Sequence, residues 1–107
     1  MLALGLPPGV TPKAAQLRTL TLSLKGEYFD AIRDGTKPEE YRLVNEYWTK
    51  RLVGRTYDQI LLTRGYPKAD DAARRLVLPW KGFVEKWIFH EHFGLYPVLV
   101  FAIDVRR

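Results

Sequence analysis

Cysteine is absent from this chain, methionine occurs once and histidine twice. Without cysteine the protein can form neither disulfide bonds nor thiolate metal sites, which is typical of a reducing compartment. No apolar run approaches the roughly 18 residues that a transmembrane helix requires. The N-terminus lacks the basic start of a signal peptide, and Pro7 and Pro8 interrupt its apolar stretch. The sequence therefore predicts a cytoplasmic protein with no membrane contact.

The composition is that of a folded, basic domain. Apolar residues make up 47% and aromatic residues 13% of the 107 positions, which suits one globular domain rather than a disordered chain. Lysine and arginine number 17 against 12 acidic residues, so the net charge is +5. A basic surface favours anionic partners, and nucleic acid is the leading class. Charge alone does not decide this, since many soluble proteins are basic without binding nucleic acid.

Two parts are predicted along the chain. Residues 1–18 are rich in proline and form an extended or flexible N-terminal segment, and residues 19–107 form the domain. Alternating or continuous apolar runs predict strands at 19–24, 38–44, 58–64, 75–78, 83–89 and 96–105. Helical spacing and capping signals predict short helices at 25–33 and 45–52. Strands and helices in this order indicate an α+β fold.

A dense group of charges lies in the turn between the first helix and the second strand. Gly35 suits a left-handed helix end, and Pro38 prevents the helix from continuing. In the strand that follows, Glu40 and Arg42 share one face, about 7 Å apart. Lys37 has the opposite parity, but from the turn it can reach the same side. We therefore expect these three charged side chains to converge.

Such a group suits the recognition of a nucleotide. Arginine provides a planar fork for a phosphate or a base edge, and a carboxylate accepts a hydrogen bond from an exocyclic amine. Lysine adds a point charge, or acts as a base where burial lowers its pKa. The sequence predicts a pocket for an unpaired base, which single-stranded or looped RNA supplies. The alternative is an ion-pair cluster that only closes one end of the fold.

Further candidates for nucleic-acid contacts lie elsewhere in the chain. They comprise basic residues at two strand ends, a tyrosine in the loop after the third strand, and two residues at the break near Pro79. An aromatic ring beside basic residues can stack on a base. These candidates are Lys25, Arg64, Tyr66, Trp80 and Lys81.

The segment most like a metal site is His90-Glu91-His92. Histidines two positions apart share a face only on a strand, whereas the metalloprotease spacing requires i, i+4 on a helix. The chain offers no cysteine and no evident third ligand. Neither histidine belongs to a recognisable nucleophile–base pair, and there is no glycine-rich phosphate loop. The sequence thus predicts no metal and no cofactor.

The charged turn also has the spacing Gly-x-Lys-x-x-Glu-x-Arg, formed by Gly35, Lys37, Glu40 and Arg42. This spacing resembles the signature of the ASCH domain family. The order of segments from roughly residue 19 to 105, with an aromatic-rich strand pair near the end, is also similar to that family. The resemblance implies a small mixed PUA-like β-barrel of about five to six strands with two or three short helices. It further implies RNA binding in a basic cleft around the motif.

The resemblance leaves an enzymatic function open. Some ASCH domains resemble small amidohydrolases that remove the acetyl group of N4-acetylcytidine, and others resemble ribonucleases. The amidohydrolase pattern has a lysine, a threonine three residues later and a downstream glutamate. Lys37 matches the lysine, Glu40 occupies the threonine position, and Glu85 and Glu91 are both available as the glutamate. If the chain is an enzyme, Lys37 and Glu40 are the catalytic candidates.

A third possibility is a structural or protein-interaction domain whose charges serve only solubility. The basic excess and the concentration of charge in one motif favour binding of RNA or a nucleotide over this possibility. The sequence indicates no obligate protein partner.

Overall fold

The computed structural model of the chain describes residues 17–107; most of the predicted N-terminal segment, residues 1–16, lies outside the described residues. Within the described range the chain forms six strands: β1 Thr19–Leu24, β2 Glu39–Leu43, β3 Gln59–Arg64, β4 Arg75–Pro79, β5 Phe83–Ile88 and β6 Val98–Asp104. It also forms two α-helices, α1 Gly26–Arg33 and α2 Glu46–Leu52, and 3-10 turns at Ala72–Arg74 and Glu91–Phe93. Neither α-helix of this range has the length and apolar character that crossing a membrane requires.

The strands of the described range are arranged in two sheets of three strands each. The first sheet has the order β1–β3–β4, with β1 parallel and β4 antiparallel to β3. The second has the order β2–β6–β5 and is antiparallel throughout. The α+β prediction and the number of strands are confirmed. Within residues 17–107 no strand pairing joins the two sheets, so they do not close into the expected barrel.

Apolar side chains of both sheets meet in one core. β1 and β3 contribute alternate leucine and isoleucine residues, as the pattern of residues 19–24 predicts, and β6 contributes Phe101 and Ile103. The helices add Phe29 from α1 and Leu52 from α2. Burying one such side chain stabilises a fold by about 1.5–3 kcal/mol. The shared core therefore fixes the position of the two sheets relative to each other.

Local signals set the boundaries of several elements as predicted. Gly35 follows α1 with a φ of 84°, a left-handed conformation that a Cβ disfavours. The Asn45 side chain caps α2 by accepting a hydrogen bond from the Trp48 backbone N–H at 2.9 Å. The continuous apolar run near the end forms β6, which is central in its sheet as predicted. The strand begins only after Pro97, which has no N–H to donate, so Tyr96 lies outside it and is exposed.

Candidate functional site

A cleft opens at the C-terminal end of β1, between residues of both sheets. Its volume is about 230 Å³. β1 contributes Ser23, β2 contributes Glu40 and Arg42, and the turn before β2 contributes Lys37. Aromatic side chains from α1, α2 and the 3-10 turn after β5 complete the walls. The charged turn of the sequence therefore lies on a concave surface.

Glu40 is the centre of the charged group. It is 6% exposed, and each of its carboxylate oxygens faces a different cation. Oε2 lies 2.8 Å from Arg42 Nη2 and 3.1 Å from Arg42 Nε, and Oε1 lies 3.7 Å from Lys37 Nζ. A buried carboxylate requires such partners, because its transfer out of water is costly. The three charged side chains of the motif thus converge.

Lys37 is enclosed by contacts on several sides. Its Nζ donates to the Glu39 carbonyl oxygen at 2.6 Å, and it lies 4.4 Å from the ring centroid of Tyr41 and 5.5 Å from that of Tyr28. Burial lowers the pKa of Lys37, and the neighbouring Glu40 carboxylate opposes that shift. The amine therefore loses its proton more readily than an exposed lysine does.

Arg42 connects β2 to β1 and α2. Its Nη2 donates to the Ser23 carbonyl oxygen at 3.1 Å, and its guanidinium carbon lies 4.9 Å from the Trp48 ring centroid, within cation–π distance. The contacts to Glu40 and Ser23 use Nε and Nη2. Nη1 is therefore the part of the guanidinium that a ligand can engage.

Another part of the wall is formed by Tyr28 and the 3-10 turn after β5. The rings of His90 and His92 lie edge-on to Tyr28, with centroid distances of 5.9 and 6.1 Å. Phe93 packs against both histidines. Lys25 Nζ lies 3.5 Å from His92 Nδ1, so this wall carries a further cation. The cleft combines cationic groups with aromatic rings.

Sequence reasoning missed this aromatic part of the cleft. Helical spacing indicates only that Tyr28 and Trp48 face inward, and both do pack against the core. The spacing of His90 and His92 suggests no function other than a metal site. The signal that could have identified them as part of the cleft is their position in an aromatic-rich segment beside Phe93. Within residues 17–107, no group of three or more histidine, aspartate or glutamate side chains is arranged to hold a metal ion.

Among the predicted nucleic-acid residues outside the motif, Lys25 lines the cleft, whereas Tyr66 lies in a neighbouring groove. Arg64 does not join them. Its Nε pairs with Asp30 of α1 at 3.2 Å, and its guanidinium occupies the space where a side chain at Gly26 would lie. The end of β3 thus faces α1, where Arg64 pairs with Asp30 and does not line the cleft.

Trp80 and Lys81 also lie outside the cleft, in contrast to the expectation for the break after β4. Trp80 packs against the core between Tyr57 and Phe83, at ring-centroid distances of 5.2 and 6.4 Å. Lys81 donates to the carbonyl oxygen of Arg106 at 2.7 Å, near the C-terminus of the chain. Both are positioned by the turn between β4 and β5, and Lys81 lines a separate pocket with Pro38 and Glu39 rather than the cleft.

Comparisons with models of known protein families, with curated proteins and with solved structures gave no match. The comparisons therefore add nothing to the resemblance to the ASCH family, which rests on the motif spacing and the order of segments. The chemistry of the cleft supplies the remaining argument about function.

Proposed function

We propose that this chain is an ASCH-like domain of the PUA-like type that binds single-stranded or looped RNA by holding one unpaired nucleotide in the cleft. The observation that carries the proposal is the convergence of Lys37, Glu40 and Arg42 in a cavity walled by aromatic rings. An ion-pair cluster that only closed the fold would need no cavity beside it.

The size of the cleft favours a single nucleotide. Its volume of about 230 Å³ is below the roughly 300–1,000 Å³ of typical small-molecule sites. One base with part of its sugar fits such a space better than a dinucleotide does. An unpaired base in a loop or single strand can be turned outward into a pocket of this kind.

The chemistry of the walls favours an anionic, aromatic ligand. Tyr28 and Trp48 offer ring surfaces to a base, and Lys25 and Arg42 offer positive charge to a phosphate. Glu40 already engages both neighbouring cations through its two oxygens. It therefore orients Lys37 and Arg42 rather than reading the base itself.

The test is a titration of labelled single-stranded RNA at several salt concentrations. We expect binding to weaken as salt rises, and the slope of log Kd against log salt to fall by about 0.7 for each phosphate contact removed. Arg42→Ala should weaken binding and lower this slope. Arg42→Lys keeps the charge but not the fork, so it should retain the slope while still binding less tightly.

Arg55→Ala is the matched control, because Arg55 is exposed, carries the same charge and does not line the cleft. Thermal unfolding of each variant separates a loss of contact from a loss of fold. Binding that does not respond to salt, or an Arg42→Ala variant that binds as the wild type does, would contradict the proposal.

A second candidate function is hydrolysis of a modified nucleoside, and the lowered pKa of Lys37 favours it. Partial burial lowers the pKa of this amine, so its neutral form, which can accept a proton from an attacking water molecule, forms more readily than in an exposed lysine. The position of the amidohydrolase threonine holds Glu40, and Glu85 and Glu91 are both exposed and do not line the cleft. The residues of the chain thus fit the binding function better than that mechanism.

Incubation with N4-acetylcytidine and with labelled RNA separates the two functions. A hydrolase would release acetate or cleave RNA, and Lys37→Ala would abolish this while the exposed Lys50→Ala would not. We expect no turnover by the wild-type protein. Turnover that is lost only in Lys37→Ala would favour the hydrolase.

A further inference from the structure

A second groove lies directly beside the cleft. Its volume is about 520 Å³, and it shares Ser23, Arg42 and Trp48 with the cleft as common lining residues. The Arg42 guanidinium and the Trp48 ring, 4.9 Å apart, thus form a partition with one hollow on each side. An RNA strand that leaves the cleft past Arg42 would enter this groove.

The groove presents an aromatic ring on an anchored loop. Tyr66 is 95% exposed, although hydrogen bonds hold the loop that carries it on both sides of the ring. The Gly65 carbonyl oxygen accepts from the Ser23 and Thr63 hydroxyls at 2.9 and 2.8 Å. Arg75 Nη2 donates to the Pro67 and Lys68 carbonyl oxygens beyond it, at 3.4 and 3.2 Å. An uncovered ring on a fixed backbone is a pre-organised surface for stacking.

The positive charge of the groove is complementary to the negative charge of a nucleic-acid backbone. Arg42 and Arg75 line it, and no carboxylate does so within residues 17–107. Its other walls are hydroxyl, proline and aromatic groups. Such a surface tolerates a phosphate and offers a base several ring faces.

We infer that the groove holds the neighbouring nucleotide of the same strand, with its base on Tyr66 and the intervening phosphate near Arg42. This rests on the proposed function and specifies its ligand class, which is a single-stranded oligonucleotide of at least two nucleotides rather than a free nucleotide. The cleft selects one base, and the groove lengthens the contact by one nucleotide along the RNA strand. Arg75 positions the loop of Tyr66 and does not itself need to touch the ligand.

The test compares each nucleoside 5′-monophosphate with the corresponding homotetraribonucleotide, using isothermal titration of the full chain. At least one tetranucleotide should bind about tenfold more tightly than its monophosphate, the gain expected from one more stacked base. Tyr66→Ala should remove that gain and leave monophosphate binding unchanged. Tyr96→Ala is the matched control, because Tyr96 is 80% exposed in a loop and lines neither hollow.

Each remaining outcome has a distinct meaning. Monophosphates that bind as tightly as tetranucleotides, or a Tyr66→Ala variant that keeps the gain, would overturn the inference while the proposed function stands. A wild-type protein that binds neither ligand would overturn both. A gain that is lost equally in Tyr66→Ala and Tyr96→Ala would also overturn it, because the stacking surface would not be specific to the groove.

Discussion

Glu40 is the most enclosed charged residue of the cleft. Its side chain is 7% exposed, against 15% for Lys37 and 18% for Arg42. A single carboxylate between two cations keeps both in place and offsets their mutual repulsion. In the proposed function, the positions of Lys37 and Arg42 thus depend on a residue that does not itself touch the ligand.

We predict that Glu40→Gln lowers the free energy of unfolding by about 2 kcal/mol. Breaking a fully buried ion pair costs about 3–5 kcal/mol, and the effect is smaller here because Lys37 and Arg42 keep some contact with water. Urea unfolding measures it. Glu46→Gln is the control, since Glu46 pairs with Lys50 on the exposed face of α2 and should cost less than about 1 kcal/mol. Equal losses in the two variants would show that Glu40 is not a buried partner.

A second residue-scale prediction concerns Asp104 at the end of β6. Hydrogen bonds from the Arg106 side chain lower the pKa of Asp104 from 3.8 to about 2. The folded protein therefore binds this proton less readily than the unfolded chain does, so the stabilisation is present above about pH 4 and is lost as the pH falls through about 2. Asp104→Asn should reduce the loss of stability between these pH values, measured by chemical unfolding.

Asp70→Asn makes the same charge change in an exposed loop and serves as its control. It should retain the pH dependence of the wild type. If Asp104→Asn also retains it, the pairing with Arg106 does not stabilise the fold.

At the scale of elements, α2 connects the core to the cleft. Leu52 at its end is fully buried, and Trp48 in its middle packs against Arg42. A helix of seven residues is too short to be stable by propensity alone, so its cap and its packing hold it in place. The orientation of Trp48 therefore depends on where α2 begins.

We predict that Asn45→Ala destabilises the protein by about 1 kcal/mol, because the Trp48 N–H loses its capping acceptor. RNA binding should weaken with it as Trp48 becomes less fixed. Asn45→Ser keeps a capping oxygen and should retain most of the stability in thermal unfolding. If Ala and Ser at this position are equally destabilising, the cap is not the cause.

The local parts of the fold and of the cleft are those that the sequence predicts. The alternation of residues 19–24 places β1, and the turn spacing brings Lys37 to Glu40, because these features depend on neighbours in the chain. The pairing of β1 with β3, and the approach of His92 to Tyr28, join segments far apart in sequence. No local pattern encodes such contacts, and for the same reason the pairing of Arg64 with α1 could not be predicted.

At the scale of the whole molecule, the cleft lies where β1 of one sheet approaches β2 of the other. Arg42 of β2 donates to the carbonyl of Ser23 in β1, so the cleft also links the two sheets. In the proposed function, the net charge of +5 would attract RNA from a distance, and the cleft and groove would supply the short-range contacts. Binding should accordingly stabilise the contact between the sheets.

The indole N–H signals of the three tryptophans test the central claim most directly. Trp48 lines the cleft, Trp80 packs against the core, and Trp87 is exposed on β5. In an NMR titration of the labelled protein with single-stranded RNA, we predict that the Trp48 signal shifts with RNA concentration while the other two stay in place. A shift confined to Trp80 or Trp87, or no shift of any indole signal, would contradict the account.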